Sequence, residues 1–123
     1  SIEGFDTSLA EGLLLMTPFN ASSTEERTAN FVKAYQEAYG SVPNQFAADG
    51  YDCMYAIYEA CTKAGITADM GHEEVCDKLI EVFTSGDFTV DGLTGSGMTW
   101  STNGEITKDP LVFKVENGAY VSQ

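Results

Sequence analysis

The apolar positions of this chain change period along its length, and each change marks an element. Gly12-Leu-Leu-Leu-Met-Thr17 is a short continuous apolar run that stops at Pro18, the pattern of a strand buried on both faces. In Ser22-Ser-Thr-Glu-Glu26, Ser22 with Glu25 and Ser23 with Glu26 form overlapping capping boxes, and there the period becomes helical. Thr28, Phe31, Val32, Tyr35, Ala38 and Tyr39 make one stripe that ends at Gly40. The next helix runs from Phe46 to a stop at Gly65 and is the centre of the chain. Ala47, Ala48, Tyr51, Met54, Tyr55, Tyr58 and Cys61 form one apolar face of it; Gly50, Cys53, Ile57, Ala60 and Ala64 form a second. Only Asp49, Asp52, Glu59, Thr62 and Lys63 are left for water, so packing on two sides is expected. A third helix covers residues 72–84, with Val75, Cys76, Leu79, Ile80 and Phe83 as its stripe and Gly86 behind it.

Beyond Gly86 the helical period disappears. Residues 88–90 form a short extended piece, and Leu93-Thr-Gly-Ser-Gly97 is irregular. Residues 98–100, 111–115 and 119–121 read as short antiparallel strands. Asn103-Gly104 and Asn117-Gly118 are hairpin signals, because both central residues of a type I′ turn need positive φ. The fold class expected is α/β, with about three helices, a short buried strand and a C-terminal β-hairpin.

Composition narrows the function more than the fold. With 123 residues, 43% of them hydrophobic, the chain is long enough for one domain with a core. Nineteen acidic residues against six basic give a formal charge of -13, which speaks against nucleic acid and against anionic lipid. No apolar run approaches the roughly 20 residues of a membrane span. No signal peptide is recognisable, so the chain is expected to be cytosolic, already processed, or a piece of something longer. Cys53 and Cys61 lie on one predicted helix, about 12 Å apart, too far to bridge. Cys61 and Cys76 are able to pair across two helices, but three buried free thiols are the expectation. There is no Cys-x-x-Cys, and His72 stands alone beside Glu73 and Glu74, so no metal, thiol redox or cofactor is indicated.

Catalysis needs a nucleophile beside a base, or two carboxylates in a pocket. No nucleophile elbow, phosphate loop or metal motif occurs, and no catalytic residue is assigned. Asp49 and Asp52, three residues apart on one helical face, are able to hold a cation or an amine. The plainer reading is that they are first-turn acids favoured by the helix dipole. Phe46, at the N-terminal mouth of the central helix, is the leading candidate for a ligand contact.

Five segments, in this order, carry a resemblance to a known family. They are Glu11-Gly12-Leu-Leu-Leu-Met-Thr-Pro18-Phe19; Phe31-Val-Lys-Ala-Tyr35 with Tyr39-Gly40 and Pro43; Phe46-Ala-Ala-Asp-Gly50-Tyr51-Asp52; Leu93-Thr94-Gly95; and the closing run from Asn103-Gly104-Glu105 to Val115-Glu-Asn-Gly118. Together they resemble the C-terminal third of a type I periplasmic substrate-binding protein, the branched-chain amino acid receptor family of ABC importers. Cys53 departs from the alanine usual after Gly-Tyr-Asp.

The resemblance implies a fragment of a two-lobed fold whose lobes, joined by three crossing segments, close on a small molecule. Residues 1–17 would end the C-terminal lobe, 18–92 would form the helical part of the N-terminal lobe, and 93–123 would hold the third crossing and a C-terminal-lobe hairpin. Thr17 and Pro18 would belong to one hinge strand, and Leu93, Thr94 and Gly95 to another. Phe46, Phe19 and Asp49 would be the ligand-binding residues. The implied function is capture of an amino acid or related small molecule for an ABC permease, without catalysis and without a cofactor. The implied location is periplasmic or extracellular, lipid-anchored or secreted. Alternatives are a sensor or regulatory domain of the same fold, including a cytosolic regulator of amide metabolism, and an acidic calcium-binding interaction module. With two thirds of such a receptor missing, the central helix and strand 12–17 would be left bare. A strand-swapped homo-oligomer is the expected response.

Overall fold

The computed structural model describes residue 4 and residues 6–123. Its α/β architecture has two bodies: three helices with a small hairpin, and a three-stranded antiparallel sheet. A 3-10 turn at Thr7–Ala10 leads into β1 (Leu14–Thr17). Then come α1 (Glu26–Tyr39), α2 (Gln45–Ala64) and α3 (His72–Phe83), followed by β2 (Thr99–Trp100), β3 (Ile106–Thr107), β4 (Leu111–Glu116) and β5 (Ala119–Ser122). The helices thus fall where the apolar period places them.

Their ends show why. Helix α2 starts on Asn44, whose side-chain oxygen accepts from the Ala47 amide at 3.1 Å. Both α1 and α2 stop at a left-handed glycine, Gly40 and Gly65. The start of α1 departs from expectation, because neither serine caps it. The Glu25 carboxylate accepts from the amides of Thr28 (2.8 Å) and Arg27 (3.0 Å), while Ser23 Oγ accepts from the Glu25 amide. A carboxylate here satisfies two free N–H groups and also faces the positive end of the helix dipole.

The sheet runs in the order β1-β4-β5, with Leu14 opposite Lys114 and Thr17 opposite Leu111. β4 and β5 are joined by Asn117 and Gly118, both at positive φ (53° and 76°), as a type I′ turn requires. The other Asn-Gly behaves differently. In the β2–β3 hairpin only Gly104 is left-handed, and the Asn103 side chain accepts from both the Ser101 hydroxyl and the Glu105 amide. That local bonding stabilises a wider turn, closed by Gly104 N–H on the Ser101 carbonyl.

Two apolar clusters build the helical body. One packs Ala56 and Ala60 of α2 against Val82, Phe88, Val90 and Met98, with Phe83 and Trp100 at its margin. The other joins Phe19, Ala48 and Leu93, flanked by Phe31, Val32 and Tyr51. Two expectations fail here. Helix α2 is buried along one line only, Ala48, Asp52, Ala56 and Ala60, while Met54, Tyr55, Ile57 and Tyr58 are exposed. Small residues on that line let α3 and residues 88–98 approach closely, and no described element reaches the opposite face. β1 is likewise an edge strand and not buried on both faces: Leu14 and Met16 are 63% and 75% exposed. The thiols are free as expected but not all buried, since Cys53 and Cys76 are exposed and Cys61 is half-buried. Among the described residues, no helix is long and apolar enough to cross a membrane.

Candidate functional site

The two bodies are linked at two places. The chain leaves the sheet at the end of β1 through Pro18, and it returns through Lys108, Asp109 and Pro110 into β4. These passages lie side by side along an open pocket of about 220 Å³ lined by Met16, Thr17, Pro18, Lys108, Asp109 and Pro110. The N-terminus of α2 meets them: the Thr17 hydroxyl donates to Gln45 Oε1 at 3.0 Å. The next residue, Phe46, leaves its ring 76% exposed.

One turn further along α2, Asp49 is half-buried and ion-paired with Lys108 at 3.3 Å. The Lys108 ammonium also donates to Thr94 Oγ1 at 2.9 Å, and Thr94 Oγ1 donates in turn to Asp52 Oδ2 at 2.7 Å. Asp52, expected to face water, is buried and accepts two more hydrogen bonds, from the amides of Leu93 (2.7 Å) and Thr94 (2.8 Å). The physical reason is the loop at residues 92–95, whose Leu93 and Thr94 amides point at α2 and need an acceptor in a place water does not reach. Backbone shape follows from it. A Cβ on Gly92 would sit 2.5–2.6 Å from the Asp52 carboxylate, and one on Gly95 would sit 2.9–3.1 Å from Met98 and Lys108.

The predicted site residues therefore divide. Phe46 and Asp49 lie one turn apart near the N-terminus of α2, Phe46 exposed and Asp49 half-buried. Phe19 is 6% exposed and packs edge-on against Phe31 in the second apolar cluster. Thr17 and Pro18 stand at the first passage. Leu93, Thr94 and Gly95 line one cavity of about 550 Å³ with Pro18, Asp109 and Leu111, but Leu93 and Thr94 are bound into the helical body by Asp52. Sequence reasoning missed Lys108 and Gln45. The available signal for Lys108 was its rarity: it is one of six basic residues among nineteen acids, immediately before Asp-Pro.

A protein-family model described as periplasmic binding protein matches residues 2–119, and the chain belongs to that family. A solved ABC transporter substrate-binding protein from Desulfitobacterium hafniense, in complex with Leu, is 27% identical with a TM-score of 0.71, over 94% of this chain and 32% of that one. A solute-binding protein of an ABC transporter from Rhodopseudomonas palustris, in complex with 3,4-dihydroxy benzoic acid, is 24% identical (TM-score 0.72; 93% and 30% covered). A branched-chain amino acid ABC transporter periplasmic ligand-binding protein from Burkholderia xenovorans is 16% identical (TM-score 0.76; 96% and 31% covered). The last two show the fold alone. The chain spans about a third of the length of these relatives. No curated protein matches it.

Proposed function

We propose that this chain forms part of a solute-binding receptor that captures a small molecule in the periplasm and delivers it to an ABC importer. The observation that carries the reading is Phe46, a bare aromatic ring at the start of α2 beside the first passage, in a chain of the periplasmic binding protein family. In the intact receptor, the sheet of β1, β4 and β5 belongs to one lobe and the three helices to the other. The passages at Thr17 and Pro18 and at residues 108–110 serve as hinge strands, with Leu93, Thr94 and Gly95 supporting them from the helical lobe. A hinge needs only a few residues that absorb backbone rotation, and two short adjacent passages fit that need.

The ligand meets Phe46 with an apolar part and Asp49 Oδ2, the oxygen not bonded to Lys108, with an ammonium group. Leucine and dihydroxybenzoic acid, bound by two of the structural relatives, each combine an apolar body with a carboxylate. An amino acid is the ligand class we favour, because Asp49 adds an acceptor for an ammonium group. Thermal-shift measurements on the intact receptor, with a panel of amino acids and of aromatic carboxylic acids, test this. A ligand of the native state raises the melting temperature by mass action. Amino acids raising it are the expected result; aromatic acids alone raising it would replace the ligand class, and no shift from either set would overturn the reading.

A further inference from the structure

We propose that Lys108 is a positioning residue: it pins the returning passage to α2 and so fixes how the sheet is held against the helices. Three observations meet at this side chain. Lys108 bonds to the helical body immediately before Asp109, Pro110 and β4, so any tilt of the sheet about this passage pivots next to it. Its ammonium is held at two points, by the Asp49 carboxylate and by Thr94 Oγ1. Its stem is held too, since the Lys108 Cβ lies against the position a Gly95 side chain would need.

The hydrogen bonds have a fixed direction. Thr94 has one hydroxyl proton, and Asp52 takes it, so Thr94 Oγ1 offers only a lone pair to Lys108. A lysine satisfies this arrangement, because it brings donors alone. The relay also sets a cation one hydroxyl away from the buried Asp52 carboxylate without burying the cation itself. Charge-assisted bonds of this kind are the stronger class, and both partners are partly shielded from water. Lys63 and Lys114, by contrast, pair with acids that do not touch a passage between the two bodies.

The consequence for ligand capture rests on the receptor reading above: Lys108 would tie the hinge to the helix that carries Phe46 and Asp49. The pinning itself does not depend on that reading, so the test is run without ligand. Hydrogen–deuterium exchange, followed by mass spectrometry of peptides covering residues 105–116, is compared in the intact receptor and in its Lys108→Met, Lys108→Arg and Asp49→Asn variants. Exchange across residues 107–111 should be several-fold faster in Lys108→Met and intermediate in Asp49→Asn, which keeps the Thr94 bond. It should be close to the parent in Lys108→Arg. The ladder of β4 and β5 should keep its protection throughout. Unchanged exchange in Lys108→Met would overturn the proposal, as would a loss of protection spread equally over α2 and α3. Should Lys108→Met not fold, Asp49→Asn and Lys108→Arg decide between local loosening and none. A receptor that binds none of the solutes tried would leave these outcomes as they are.

Discussion

Replacing Asp52 by alanine removes the one acceptor that organises the loop at residues 92–95. Three donors lose their partner: the Leu93 amide, the Thr94 amide and the Thr94 hydroxyl, at 2.7, 2.8 and 2.7 Å. The hydroxyl can rotate, and Lys108 can turn to water. The two amides cannot follow, because Leu93 and Thr94 are 7% and 3% exposed. A hydrogen bond to a charged acceptor is worth about 1.5–3 kcal/mol net, and a buried donor left unpaired costs about 1–3 kcal/mol. Two orphaned amides put the loss for Asp52→Ala at about 3–5 kcal/mol, a large share of the roughly 5–15 kcal/mol that a domain has. Gly92→Ala should reach a similar end from the other side, since a Cβ there would sit 2.5 Å from the Asp52 carboxylate and displace it. Because both changes break the same contact, the double variant should lose far less than the sum. Urea denaturation of the three variants measures this, provided the slopes agree. A cost below about 1 kcal/mol for Asp52→Ala, or strict additivity with Gly92→Ala, would refute the clamp.

Two further outcomes follow from the ends of the elements. Hydrogen bonds from the Thr28 and Arg27 amides hold the Glu25 carboxyl below its ordinary value of 4.5. A depressed carboxylate contributes stability that is present above its unfolded value and is lost as pH falls through the folded one. The gap in urea midpoint between the parent and Glu25→Gln should therefore be open at neutral pH and close on acidification from 4.5 downward; a gap independent of pH would contradict the cap. The 123-residue chain alone should associate at low micromolar concentration through the edge of β1, where Leu14 and Met16 are exposed, and through the bare face of α2. Light scattering should give a mass above 13.3 kDa that Met16→Lys lowers, and a stable 13.3 kDa species in the parent would count against it.

Much of the fold is legible because its signals are local. Asn44 and Gly65 bracket α2 in the sequence as they do in the structure, and Asn117 with Gly118 needs only its own backbone to make a turn. What fails is anything set by distant chain. Tyrosines and methionines dominate the apolar count on α2, yet the buried line is alanine and aspartate, chosen by how closely a loop some forty residues away approaches. Periodicity treats Asp52 as a surface acid because the amides that need it are invisible from its neighbours. Phe46 was readable as a helix-mouth aromatic; Lys108 was not, since its partners Asp49 and Thr94 lie 59 and 14 residues away.

On the receptor reading, Phe46 receives a solute beside the first passage. Isothermal titration of the intact receptor and its Phe46→Ala variant, with leucine as the first probe and dihydroxybenzoic acid as the second, tests it most directly. The ring is 76% exposed before binding, so covering it contributes about 1–3 kcal/mol to affinity. Phe46→Ala should therefore weaken whichever probe binds by roughly tenfold to a hundredfold, with circular dichroism unchanged. A probe that binds both proteins with equal affinity would show that the solute site lies elsewhere.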